Sequence, residues 1–322
     1  MKLPASIRIA GRRLGLPRLY LKMRGLQQTG ARALVNRALV RSQVLPKIRK
    51  APPIPAGAGA LEIHMLLQKA RVWEGAWALY SFLYYAGQPL RIVIHDDGTL
   101  DAGSTEILSS VFPGIRIISR KEADEVVNSS LERQGLHYCL ALRRRCYNLI
   151  LKLLDPLFFC SVPSYLLLDS DILTFAKPVE LLDPVYGASG STTPHLYSPD
   201  FQSGLTHTPE ELATLGLKPA LLLNSGIMKI HRSAFSLEHV DAMIPKLDVL
   251  KRESIHFFTE QTLFACELPF HGAVRLDAER YTLCGDPKDS KIVTGHYCGT
   301  YYGKTRFYRE AIPCLARKLP LQ

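Results

Sequence analysis

The chain has 322 residues, 47% of them hydrophobic, with a mean hydropathy of +0.03 and a formal net charge of +11. That length and apolar content suffice for one large domain or a domain and a half around a substantial core. No apolar run reaches the ~18 residues that span a bilayer, and the N-terminus lacks the uninterrupted apolar region of a secretory signal, so a soluble or peripheral protein is expected.

Seven cysteines (Cys139, Cys146, Cys160, Cys266, Cys284, Cys298 and Cys314) are scattered without a Cys-x-x-Cys pair. Neither a cysteine-based zinc site nor a disulfide framework follows, and a reducing cytosol fits best. The charge is uneven: residues 1–61 hold 13 of the 40 Lys and Arg and none of the 29 acids.

Residues 1–60 read as a basic arm closed by the Pro/Gly/Ala-rich stretch 51–60, with a second unit over 61–322. Within the arm, Leu34, Val35, Ala38 and Leu39 share one helical face, with Asn36, Arg37 and Arg41 on the other. Such a face suits an anionic membrane surface, through residues 1–50, as well as it suits a solvated arm. A mitochondrial transit peptide has the same signature. Nucleic acid is not expected, because Tyr20 is the arm's sole aromatic residue and stacking needs more.

From residue 62 strands and helices alternate. Strands are expected over 62–67, 90–95 and 115–119, and helices over 72–86 and 104–111. This is the rhythm of a mostly parallel α/β sheet with helices on both faces. Trp73, Trp77, Tyr80 and Tyr84 fall at helical spacing and read as packing. A helix over 136–154 leads through Pro156 and Pro163 into an apolar strand from Tyr165 to Leu168. A later strand, 220–223, ends at an Asn224-Ser225-Gly226 corner before 227–231.

The strand 165–168 runs into Asp169-Ser170-Asp171. Side chains two apart on a strand project alike, so both carboxylates can meet one cation. Apolar Ile172, Leu173 and Phe175 follow, and carboxylates in such surroundings are costly unless compensated. Hard oxygen ligands suit Mg²⁺ or Mn²⁺, and such an ion typically bridges the phosphates of a nucleotide or nucleotide sugar.

Further segments line up with this one: His95-Asp96-Asp97-Gly98, Asn224-Ser225-Gly226-Ile227-Met228, Glu260-Gln261-Thr262-Leu263, and the stretch from Gly295 through His296 to Lys304. In this order, across residues 62–305, they resemble glycosyltransferases of the GT-A fold, particularly the family that includes glycogenin and the lipopolysaccharide galactosyl- and glucosyltransferases. The resemblance implies a Rossmann-like GT-A sheet and transfer of a hexose from a nucleoside-diphosphate sugar, UDP foremost, to a saccharide or glycolipid acceptor. It implies Asp169, Asp171 and His296 as ligands of Mn²⁺ or Mg²⁺, and Lys304 as a phosphate contact. Lys304 lies two residues farther from His296 than is usual in the family.

By the same resemblance Asn224 and Ser225 are donor-sugar contacts, and Asp96 and Asp97 face base or ribose. Glu260 and Gln261 stand for an Asp-Gln pair beside the reacting carbon, with Glu replacing Asp. Arg143, Arg144, Arg145 and Lys152 resemble the family's basic helix, Arg145 being the one chosen to reach the donor. Work on a glycolipid or cell-surface polysaccharide at the inner face of a membrane is the matching location.

Two other readings use the same residues. A haloacid-dehalogenase-type phosphatase would make Asp169 a nucleophile and Asp171 an acid/base, with the Gly285–Asp289 stretch as its later acidic motif. Leu173 stands where that family wants Thr or Val. A nucleotidyltransferase of the same sheet would want a Gly-rich loop where this chain has Gln68-Lys69-Ala70-Arg71.

Overall fold

The computed structural model describes residues 30–145, 148–189, 193–251 and 257–321. Seven strands form the central sheet: β1 (Leu61–Leu67), β2 (Arg91–Asp96), β3 (Arg116–Ile118), β4 (Ser164–Leu168), β6 (His195–Pro199), β7 (Leu223–His231) and β8 (Ala273–Arg275). Their spatial order is β3-β2-β1-β4-β7-β6-β8, and neighbours run parallel except at β7, which is antiparallel to both β4 and β6. A small second sheet pairs β5 (Ile172–Thr174) and β9 (Tyr281–Leu283) with β10 (Thr294–His296) between them.

Helices cover both faces: α1 (Ala31–Leu39), α2 (Val72–Ala86), α3 (Ala102–Val111), α4 (Arg120–Arg133), α5 (His137–Arg144), α6 (Leu149–Phe159), α7 (Leu237–Lys246), α8 (Thr259–Glu267) and α9 (Ile312–Lys318). Strand alternation splits the core in two. Leu166 and Leu168 of β4 pack with α2, α3 and α9, whereas Tyr165 and Leu167 pack with α4 to α8. Trp77 and Tyr80 of α2 are buried, as packing residues should be, while Tyr84 is exposed. Among the described residues no helix is long and apolar enough to cross a membrane.

The structure revises four of the sequence expectations. The helix expected over 136–154 is two helices, α5 and α6, separated by a turn at Arg145, and Pro156 lies inside α6. Helix α4 carries no sequence assignment, although Ala123, Val127 and Leu131 form a buried stripe at helical spacing and Ser119 caps it by accepting from the Glu122 N–H. Asn224-Ser225-Gly226 is not a corner between strands: all three lie within the continuous β7, beside an irregularity in its pairing with β6.

The fourth revision concerns the boundary at residue 60. Val40, Leu45, Ile48 and Ala51 are buried in the core beside α2, where Trp77 Nε1 donates to Leu45 O at 2.9 Å and Tyr80 Oη to Pro52 O at 3.0 Å. The stretch 40–52 therefore belongs to the folded body. Helix α1 precedes it, and residues 1–29 lie outside the described ones.

Candidate active site

The chain runs β1, β2, β3 in one direction across the sheet and then returns to place β4 on the other side of β1. Two connections leave in opposite directions at that point, and the crevice between the carboxyl ends of β1 and β4 is where open α/β sheets bind ligands. Asp169 and Asp171 sit there, in the turn from β4 to β5. The cleft above them is lined by Gln68, Arg71, Asp97, Asn148, Lys152 and Lys304, among others.

Main-chain bonds fix three segments around this turn. Asp169 N–H donates to Gly226 O of β7 at 2.8 Å, and Tyr297 N–H donates to Asp171 O at 3.0 Å. The β5–β10 register sets His296 opposite Ile172, next to Asp171. The structure thus brings together residues more than 120 positions apart: His296 Nε2 is 3.1 Å from Asp171 Oδ1 and 4.0 Å from Asp169 Oδ2. One ligand atom from each of Asp169, Asp171 and His296 lies within 4.8 Å of the others.

His296 is oriented from behind. Its Nδ1 is 2.8 Å from Asn224 Oδ1, which also accepts the Gly226 N–H at 2.9 Å. A backbone N–H can only donate, so that atom is the carboxamide oxygen and Nδ1 must carry the ring proton. The other ring nitrogen then faces a carboxylate. A ring held by Nδ1 in this way presents Nε2 as a metal ligand buttressed by a hydrogen-bond acceptor. Two carboxylates and an imidazole accommodate Mn²⁺ or Mg²⁺. Gly226 is required at this point, since a Cβ there would lie 2.4 Å from His296 Cε1.

Two lysines compensate the carboxylates. Lys304 Nζ is paired with Asp171 Oδ2, and Lys152 Nζ bridges Asp169 Oδ1 at 2.9 Å and Glu260 Oε1 at 3.3 Å. Burial opposes ionisation of Asp171, but Lys304 and His296 beside it hold its carboxyl well below the usual range. Burial likewise works against the Lys152 charge, and Asp169 and Glu260 overcome it, keeping the ammonium. Glu260 is pushed up to about 7, because burial and the Asp169 charge outweigh Lys152.

Glu260 and Gln261 open α8 and face β7. Ser225 Oγ is 3.1 Å from Glu260 Oε2, Ser225 N–H donates to Gln261 Oε1 at 3.1 Å, and Gln261 Nε2 donates to Gly204 O at 2.9 Å. Lys152 Nζ also reaches Ser225 Oγ at 3.3 Å. Asp169, Lys152, Glu260, Ser225 and Gln261 thus make one continuous polar network, in which Asp169 and Lys152 line the cleft and Glu260, Ser225 and Gln261 are buried behind them.

Other sequence candidates divide. Asp97 lines the cleft and accepts from Asn148 Nδ2 at 2.9 Å. Asp96 is taken up by its own turn, accepting from the N–H groups of Gly98, Thr99 and Leu100. Asn224 is not aimed at the cleft: its carboxamide is spent on His296, Gly226 and Asp200 Oδ2.

Of the four bases, Lys152 enters the site, whereas Arg145 is exposed in the turn after α5 and does not line the cleft. Arg143 is buried elsewhere, paired with both oxygens of Asp155 and with Asp124. Arg71 and Asn148 had no sequence assignment. A signal existed for Arg71, which follows the carboxyl end of β1, the edge the strand rhythm marks for ligands.

No protein-family model matches the sequence, and no curated protein does. Similar solved structures include the galactosyltransferase LgtC in complex with donor and acceptor sugar analogues, at 13% identity over 80% of this chain and 96% of that one, TM-score 0.49. Mouse xyloside xylosyltransferase 1 is 11% identical over 76% of this chain and 97% of that one, TM-score 0.46. The WbbM bifunctional glycosyltransferase is 13% identical over 82% of this chain and 52% of that one, TM-score 0.49. These three solved structures are named as glycosyltransferases. These likenesses are distant, and the chemistry of the site has to come from its own geometry.

Proposed function

We propose that this chain is a metal-dependent glycosyltransferase that moves a hexose from a nucleoside diphosphate, UDP foremost, to a saccharide or lipid-linked acceptor. The observation that carries the reading is the convergence of Asp169, Asp171 and His296 at the mouth of the switch-point cleft, with Asn224 fixing the ring so that Nε2 faces the carboxylates. These three residues would hold Mn²⁺ or Mg²⁺. An ion held there would supply positive charge to a diphosphate leaving group.

The protein's own groups complete the site. Lys304 and Arg71 line the cleft and would contact the phosphates, and Asp97, held by Asn148, lies on the side of β1 and β2 where base and ribose would sit. Lys152 would face the transferred sugar, backed by the buried Ser225, Glu260 and Gln261 to which it is linked. Positioning and preorganised charge would supply most of the rate. The phosphatase alternative gains no support: Asp286 and Asp289 are exposed, accept from the N–H groups of Lys288 and Lys291 in their own turn, and do not line the cleft.

The outward face of helix α1 is consistent with action at an anionic membrane surface. Its Asn36 and Arg37 turn inward, Arg37 lying over the Tyr308 ring, while Val35 and Leu39 are 59% and 47% exposed beside exposed Arg32. An outward apolar strip in an acid-free, basic segment is the composition that binds such a surface.

The catalytic reading is tested by incubating the protein with UDP- and GDP-hexoses and measuring nucleoside-diphosphate release with Mn²⁺ and with a chelator. Release that needs metal and disappears in Asp171→Asn is expected. Equal release from Asp171→Asn, or none from any donor, would overturn the reading.

A further inference from the structure

A second group of metal-type ligands lies at the far end of α8 from Glu260. Glu267, the last residue of that helix, is fully buried. Its Oε1 accepts the Ser236 N–H at 2.8 Å, but its Oε2 has no hydrogen-bond partner among the described residues. A buried carboxylate oxygen without a donor is costly, and a cation beside it would compensate it.

Two imidazoles lie beside this carboxylate. His239, in the first turn of α7, places Nδ1 at 3.4 Å from Glu267 Oε2, and His271 follows in the short turn 268–271. The two rings are nearly parallel, 16° apart with centroids at 6.4 Å, and Phe270 packs against His239 at 4.6 Å. One ligand atom from each of His239, Glu267 and His271 lies within 4.8 Å of the others.

We propose that His239, Glu267 and His271 form a second divalent-metal site, which takes Zn²⁺ and clamps the start of α7 to the end of α8. Two imidazoles and one carboxylate are a borderline donor set suited to zinc, with a fourth, outward position left for water. It differs in kind from the cleft trio, which has two carboxylates and one imidazole. Helix α8 spans roughly 10 Å from Glu260 to Glu267 at 1.5 Å per residue, so the clamp braces the helix that carries Glu260 and Gln261 without touching the cleft.

A third cluster, Glu62, His64 and Cys160, also has ligand atoms close together. There each one is already bonded: Glu62 to Ser161 and His64, His64 to His95, and Cys160 Sγ to Val162 O. That cluster is satisfied without an ion.

The test uses the full chain without an affinity tag, stripped by chelator and titrated with Zn²⁺ against a chromophoric competitor. Wild-type protein and Asp171→Ala are expected to bind one zinc equivalent that the double variant His239→Ala/His271→Ala lacks. Zn²⁺ should raise the melting temperature of wild type and Asp171→Ala far more than that of the double variant. Both histidines are exposed, so the double variant should melt near wild type without zinc; His271→Gln alone, at an exposed turn position, gives the same readout if it does not. A variant that keeps the wild-type stoichiometry and thermal response would overturn the proposal, as would a wild-type protein whose only zinc equivalent is lost in Asp171→Ala.

Discussion

Lys152 and Arg143 sit nine residues apart in the same basic stretch, and their surroundings give them different work. Lys152 is shared by Asp169, Glu260 and Ser225 in the cleft wall; Arg143 is locked between Asp155 and Asp124 in the body of the fold. Each substitution to Met removes one partner of a buried charge group and should cost about 3 kcal/mol of unfolding free energy by urea titration. Lys152→Met should also lower transfer at least ~10²-fold, while Arg143→Met leaves nucleotide affinity unchanged. An Arg143→Met protein with weakened nucleotide binding and wild-type stability would contradict this division.

Which of the four bases enters the site was not legible from spacing, because the break between α5 and α6 resets the helical phase. The placing of Asp169 and Asp171 at the carboxyl end of a buried strand was legible, since an apolar strand leads into them and apolar residues follow. Asn224 shows what no local pattern reveals: its partner is 72 residues away, and only the fold decides that its carboxamide serves His296 instead of the cleft.

Among the elements, β7 and β1 carry the sharpest consequences. Gly226 lets β7 pass against the His296 ring, where even a methyl group would clash with Cε1 and Nδ1. Gly226→Ala should therefore abolish metal-dependent nucleotide binding, read by calorimetry, in a protein that still unfolds cooperatively. Unchanged affinity would show that the ring position is not critical.

At the start of β1, burial works against the Glu62 charge, but hydrogen bonds from His64 and from Ser161 Oγ and N–H outweigh it and lower its carboxyl from 4.5 to about 2. A depressed carboxyl stabilises the fold above its unfolded value and loses that contribution as pH falls toward the folded one. The stability difference between wild type and Glu62→Gln should shrink by about 2 kcal/mol between pH 5 and pH 3; a difference independent of pH would contradict this. The alternation of strands and helices along residues 61–118 was readable because each strand is an apolar run and each helix has its own period. Helix α4 escaped because its surface is so charged that the three-residue stripe of Ala123, Val127 and Leu131 is easily missed.

Across the whole molecule, one sheet edge gathers the cleft while the basic N-terminal segment ends in a helix whose apolar strip faces outward. Deleting residues 1–39 should abolish sedimentation with vesicles containing anionic lipid and leave the melting temperature near wild type, because among the described residues the first one buried in the core is Val40. Retained sedimentation would remove the membrane reading. The sheet's class could be anticipated from its rhythm, but the placement of residues 40–52 within the body could not, since composition marks them as part of a basic arm.

The most direct measurement of the central claim is a thermal-shift titration with UDP, GDP, CDP and dTDP, with and without Mn²⁺, on wild type and Asp171→Ala. A ligand bound only by the folded state stabilises it by mass action. The account predicts a rise in melting temperature for one nucleotide that requires both Mn²⁺ and Asp171. No shift with any nucleotide in the presence of metal, or a shift that persists in Asp171→Ala, would contradict it.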